Sequence, residues 1–178
     1  MAIKIDAAHA PYIWATARIG LGLIFLWAFV DKLFGLGFST CRDEVTGNID
    51  VLCEKSWLQG GSPTSGFLHF ATKGPFANYY QNLSGINLID WLFMIGLLLI
   101  GLSLIFGVAM KVATISGVVL MLILYLAIIP PENNPMLDDH VIYAILLIGI
   151  LSVNNEQKWG LRAWWIKQSP VNRWPILE

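Results

Sequence analysis

Residues 12–30 form an almost unbroken apolar run that contains one arginine, Arg18, and ends in the charge pair Asp31-Lys32. As a helix such a run is about 28 Å long, close to the ~30 Å hydrocarbon core of a bilayer. Three more apolar stretches follow, at 91–110, 112–129 and, more weakly, 136–153. The first two of these also match a bilayer. The uncharged part of the last, 141–153, covers only about 20 Å and can span if its polar start lies in a protein-lined cavity. Ionisable groups inside a span are expensive, so each points to a structural or functional partner.

Of the 178 residues, 56% are hydrophobic and 13% charged, against about 25% charged in a soluble domain. That composition identifies an integral membrane protein. The net charge of −1 supplies no basic field for nucleic acid. Eight tryptophans suit two membrane interfaces, because indoles gather at headgroup level. The apolar run after Pro11 is too long for the core of a signal peptide, and no small-residue cleavage site follows it, so it reads as a retained anchor.

The helix ends are legible. Pro11 opens the first span, Pro130-Pro131 ends the third, Asn87 and Asp90 form a cap-like pair before the second, and Asp138 or Asp139 can cap the fourth. Only residues 107–111 separate the second and third spans, which makes them antiparallel neighbours. With four spans both termini share one side. That side carries Lys4, Lys111, Lys158, Arg162, Lys167 and Arg173; the other carries Arg42, Lys55 and Lys73, all in one loop. The positive-inside rule then places both termini in the cytoplasm and the loop outside the cell membrane. The expected fold is all-α, an integral membrane four-helix bundle forming a single domain over residues 1–178. Its spans lie near 12–32, 89–110, 112–129 and 137–153. A small extracytoplasmic cap from loop 37–87 sits between the first two helices, and residues 158–178 form an interfacial segment.

Cys41 and Cys53 are the only cysteines and both fall in the long loop. An outward loop is oxidised, and a bridge there would stabilise the loop by about 3 kcal/mol in the chain-entropy model. The rival reading is a two-thiol metal or redox site, for which the spacing is poor. The loop also holds aromatic clusters at Trp57, Phe67, Phe70, Phe76 and Tyr79-Tyr80, which suit short ordered helices on the outer surface. In the C-terminal segment, tryptophans alternate with Lys and Arg, as suits anionic inner-leaflet lipid. Ala109, Ala113 and Gly117 lie four apart, a spacing compatible with close helix packing.

Arg18 and Lys32 mark nearly one helix face, about 40° apart, at depths differing by about 21 Å. Arg18 is either an anion or quinone-headgroup contact or a buried structural arginine bonded to carbonyls and to hydroxyls such as Ser103, Thr114, Ser116 or Ser152. At the outer side Asp31 and Lys32 end the first span, Asp90 begins the second, Glu132 follows the third, and Asp138, Asp139 and His140 begin the fourth. His69 and Lys73 of the loop can reach the same place. Singly, each has a bland explanation as a snorkelling side chain or a helix cap. Together they suggest a polar pocket among helices, with His140 the candidate for proton transfer.

Arg18-Ile-Gly20-Leu-Gly22 followed by Asp31-Lys32 resembles the first span of DoxX/DoxD-type membrane proteins. The loop stretch 57–67, Trp-Leu-Gln-Gly-Gly-Ser-Pro-Thr-Ser-Gly-Phe, resembles the DoxD branch, as does Pro130-Pro-Glu-Asn-Asn-Pro135 with Asp138-Asp-His140. The resemblance implies a four-helix membrane subunit of a thiosulfate:quinone oxidoreductase. With a DoxA-like partner it would oxidise thiosulfate to tetrathionate and pass electrons to membrane quinone. Quinone would be a substrate, and no metal or covalently bound cofactor is evident. From the residues themselves, His140, Lys32 and Asp31 are expected to be catalytic. Arg18, Asp90, Glu132, Asp139, His69 and Lys73 are expected to bind substrate or quinone, which would arrive laterally between the first and fourth spans. The alternative is a non-catalytic accessory subunit of a larger respiratory or redox complex.

Overall fold

The computed structural model describes residues 7–132, 134, 136–154 and 158–178; Lys4, Asn133 and Pro135 lie outside these. Helix α1 (Ala10–Phe34) has Pro11 in its first turn, where a missing N–H leaves nothing unpaired. It runs past the Asp31-Lys32 pair and stops at Gly35, whose φ of +70° suits glycine and lets its N–H donate to the Asp31 carbonyl at 2.7 Å.

The connection from 35 to 86 is ordered by short pieces: a 3-10 turn (Trp57–Gln59), one π-turn (Phe67–Ala71), a second 3-10 turn (Gly74–Phe76) and α2 (Ala77–Gln81). Cys41 and Cys53 are joined in a disulfide that closes its first part. Next come α3 (Asn87–Phe106) and α4 (Met110–Ala127), joined by residues 107–109. Gly107, at φ +68°, ends α3 with its N–H on the Ser103 carbonyl at 2.8 Å. Helix α4 stops ahead of Ile129-Pro130, because the residue before a proline is pushed out of helical geometry. Helix α5 (Asp139–Ser152) is capped by Asp138, whose side chain accepts the Val141 N–H at 3.3 Å. Asp90 is no such cap. It is buried in the first turn of α3, where Ile86 holds the cap position.

The long helices are apolar on both faces. In α3, Met94, Leu97, Ile100 and Leu104 point inward, while Leu92, Ile95 and Leu99 are exposed. Helix α4 exposes Ile115, Val119 and Leu122 in the same way. An all-round apolar helix on a surface belongs in lipid. Helices α1, α3 and α4 are long and apolar enough to cross a membrane; α5, with 14 residues, is a shorter apolar helix. The chain is therefore an all-helical membrane protein among its described residues.

Helix α1 packs on α3 and α4 on α5, with α3 also against α4 and α1 touching α5. Their shared core is built from Leu21, Phe25, Leu97, Ile100, Leu104, Met121, Leu147 and Ile150. The closest approach is between α1 and α3. A Cβ on Gly101 would lie 2.9 Å from the Leu26 nitrogen and 3.1 Å from the Gly22 carbonyl oxygen, so two glycines let the backbones touch. Of the expected small-residue row, Ala113 and Gly117 are buried on α4, with Leu147 of α5 over Gly117, whereas Ala109 precedes the helix at its cap position.

This arrangement gives two ends. At the loop end lie the C-termini of α1 and α4, the N-termini of α3 and α5, and the 35–86 connection. At the turn end, α6 (Arg162–Trp165), α7 (Ser169–Arg173) and a last 3-10 turn (Pro175–Leu177) fold back over the helix ends. The Leu161 N–H donates to the Phe106 carbonyl at 2.7 Å and the Lys111 N–H to that of Glu178 at 3.0 Å.

Candidate functional site

Beneath the loop end lies a cavity of about 940 Å³ with mainly apolar walls. Helix α1 contributes Phe25, Ala28 and Lys32; α3 contributes Phe93 and Leu97; α4 contributes Leu120 and Leu124; α5 contributes His140 and Tyr143. Thr64, Phe67 and Tyr80 of the connection roof it. Exposed Leu92 and Ile95 of α3 and exposed Ile115, Val119 and Ile123 of α4 form its rim, so it opens on the lipid side between those helices. Ile24 marks a further exposed edge on α1. An apolar cavity with a few polar groups at one end is the usual form of a small-molecule site.

Lys32 and His140, two of the three residues expected to be catalytic, both reach this cavity. Lys32 Nζ donates to Ser39 Oγ at 2.9 Å, on the segment that follows α1. His140 Nδ1 pairs with Asp138 Oδ2, while the other Asp138 oxygen caps α5. One carboxylate therefore fixes both the helix start and the imidazole. With Nδ1–H on the carboxylate, Nε2 is left to accept or deliver a proton. Tyr80 closes the roof and donates its hydroxyl to the Ile123 carbonyl at 2.9 Å; burial raises its pKa, so it remains a donor.

Asp31 does something else. Its carboxylate is buried and accepts the Phe38 N–H at 3.0 Å, the Ser39 N–H at 2.9 Å and the Ser39 hydroxyl at 2.6 Å. It folds the chain back at the end of α1 and does not line the cavity. Asp90 ties the connection to α3 in the same manner, accepting from the Ser62 hydroxyl at 2.9 Å, the Thr64 N–H at 3.2 Å and the Thr64 hydroxyl at 2.6 Å. It acts on the cavity only by placing Thr64. A short buried acid at a helix end satisfies loop N–H groups that lipid cannot, which is why both acids stand there.

Lys73 and Glu132 form an ion pair at 2.7 Å that ties the connection to the segment after α4. The hydrogen bond and the charge of Lys73 hold the Glu132 carboxyl below the usual glutamate range. A carboxyl whose folded pKa is depressed contributes above its unfolded pKa and loses that contribution as pH falls through the folded value. The tie should therefore weaken as pH falls through the folded Glu132 value, and Lys73→Gln should return Glu132 to ordinary titration. A carboxyl-carbon NMR titration of both proteins checks this; identical curves would refute the pairing. His69 is exposed and stacks on Phe70, and Asp139 is exposed at the start of α5; neither lines the cavity.

Arg18 lies at the opposite end. It is 1% exposed and donates to the carbonyls of Leu104, Ile105 (3.1 Å), Lys158 (3.2 Å) and Trp159 (2.9 Å). Nη1 and Nη2 are thus bonded to backbone carbonyls, as in the structural reading, while the buried Nε has no partner among the described residues, and Arg18 does not line the cavity that Lys32 and His140 share. Tyr143, one helical turn after His140, is not among the expected site residues, and Tyr80 of α2 is expected only as part of the loop's aromatic clusters. Asp138 is expected as a cap and as one of the ionisable groups at the outer end; its spacing of two from His140 is the signal for the pairing. No protein-family model, curated protein or solved structure matches the chain.

Proposed function

We propose that this chain is a membrane subunit of a quinone-linked oxidoreductase, and that quinone occupies the cavity shared by Lys32 and His140. The observation carrying this reading is that cavity: apolar walls open to lipid, with an ammonium and a carboxylate-oriented imidazole at one end. A quinone ring and its isoprenoid tail suit such walls, and the seam between α3 and α4 is the favoured route in from lipid. Reduction takes two electrons and two protons. The Lys32 ammonium would hold one quinone oxygen as negative charge builds, His140 Nε2, oriented by Asp138, would deliver one proton, and water at the loop end would supply the second.

By the resemblance to DoxD-type proteins, the electrons would come from two thiosulfate ions joined as tetrathionate, a balanced two-electron oxidation, with a DoxA-like subunit as partner. In this reading α5 completes a four-helix span and the termini are cytoplasmic. The 35–86 connection then faces outward, where the Cys41–Cys53 bridge is chemically at home.

The test is thiosulfate-dependent quinone reduction in membranes that hold the chain and its partner subunit. His140→Ala should lower the rate by about 10²-fold or more, the usual worth of a positioned acid-base group. Lys32→Ala should raise the quinone KM. Unchanged rates in both variants would remove the site. A non-catalytic accessory role is favoured by one feature, the exposed Phe38, Val45 and Phe70 on the connection, which suit a docked protein. Co-purification with a cofactor-bearing complex at fixed stoichiometry, without turnover by the chain and its partner, would select that role.

A further inference from the structure

We propose that the turn end carries a binding site for the headgroup of an anionic phospholipid, at the opposite end of the helices from Lys32 and His140. A second cavity, of about 620 Å³, lies there between the start of α4, the end of α5 and the C-terminal helices. Lys111, Asn154, Arg162 and Glu178 supply its polar lining, and Ile115 and Leu151 supply apolar lining.

The charges are unevenly satisfied. Lys111 Nζ donates to the Pro175 carbonyl at 3.0 Å and to Glu178 at 3.2 Å. Arg162 has no ion-pair partner among the described residues, and its buried Nε has no hydrogen-bond partner among them. A guanidinium presents a planar fork of N–H donors, and two non-bridging oxygens of a phosphodiester can accept from that fork together. Glu178 is the one acidic side chain among the lining residues and is already paired with Lys111, which leaves Arg162 as the cation an incoming anion meets.

The surroundings favour a lipid over a free ion. Ile115 is a lipid-facing residue of an apolar helix, so an acyl chain can run from the cavity along α4. Exposed Trp159, Trp164 and Trp174 stand on the segment that closes the cavity, and indoles mark headgroup depth. Lys158, Lys167 and Arg173, all exposed on that segment, add attraction to an anionic surface. A basic pocket between helix ends at an interface is a known mode of headgroup capture.

The experiment reconstitutes the full chain in nanodiscs of equal phosphatidylglycerol and phosphatidylcholine, then extracts it and counts retained lipid by native mass spectrometry. The wild type should retain phosphatidylglycerol in preference. Arg162→Gln should cut that preference about fivefold, the worth of one basic residue near an anionic surface. Lys55→Gln, an exposed cation of the 35–86 connection at the opposite end, should retain the wild-type preference. Equal retention of the two lipids by the wild type would overturn the proposal whatever the variants do, as would equal losses in the two variants. Displacement of the retained lipid by millimolar inorganic phosphate would also overturn it, because the site would then serve a free anion.

Discussion

Replacing Arg18 with methionine is expected to unfasten the turn end. The guanidinium reaches two carbonyls at the end of α3 and two in the C-terminal segment, so one side chain joins three parts of the chain. A helix C-terminus carries partial negative charge, which makes the end of α3 a favourable place for a cation. Methionine fills similar space but leaves the four carbonyls without this donor, and unpaired carbonyls are costly away from water. The loss should be at least ~3 kcal/mol, the upper value for a single hydrogen bond to a charged group. Lysine should not restore it, because an ammonium lacks the planar fork that serves divergent acceptors. Gly107 and Gly160 crowd the guanidinium, and a Cβ on Gly107 would lie 2.8 Å from Arg18 Nη1. Gly107→Ala should therefore produce a milder form of the same defect. Limited proteolysis reads it directly: Arg18→Met should be cut near Lys158 and Arg162 at protease levels that spare the wild type. A segment that remains protected would mean Arg18 does not hold it.

The second large effect concerns the crossing of α1 and α3. Gly101→Val places side-chain atoms against the Leu26 nitrogen, the Gly22 carbonyl oxygen and Leu26 Cβ, all within 3.1 Å of the new Cβ. Two of these three are backbone and cannot rotate aside, so the helices must move apart. Overpacking costs about 1–3 kcal/mol, and a backbone obstacle argues for the upper end. Separation would also widen the core around Leu97 and Leu104. Thermal unfolding in detergent should show a clear drop in midpoint. Gly20→Ala is the matched control: its Cβ would meet nothing within 4 Å, so it should be neutral or gain up to ~1 kcal/mol from helix propensity. Equal midpoints for Gly101→Val and the wild type would show that the two backbones do not touch.

The helices were legible in the sequence because their signals are local. Apolar runs, Pro11, the proline pair after α4 and Asp138 each act within a few residues. The disulfide was legible because Cys41 and Cys53 have no other thiol to choose. The cluster of ionisable groups was legible only as a shared end of the helices. That Lys32, Asp90, Glu132 and His140 all sit at the loop end follows from chain direction alone. What each does there does not. Asp31 and Asp90 sit among residues as polar as Lys32 and His140, yet both acids are spent on loop N–H and hydroxyl groups. Lys73 is spent on Glu132, and His69 faces outward.

By itself, then, the sequence determined an all-helical chain with at least three bilayer-length rods, a bridged loop and one end rich in ionisable groups, because length and hydropathy act residue by residue. Only the tertiary structure decided that Lys32 and His140 share an apolar cavity while Arg18 is sealed among carbonyls at the far end. The reason is that a buried charge takes whichever polar partners the fold brings within about 3 Å, and those of Arg18 come from residues 86 to 141 positions away in the chain.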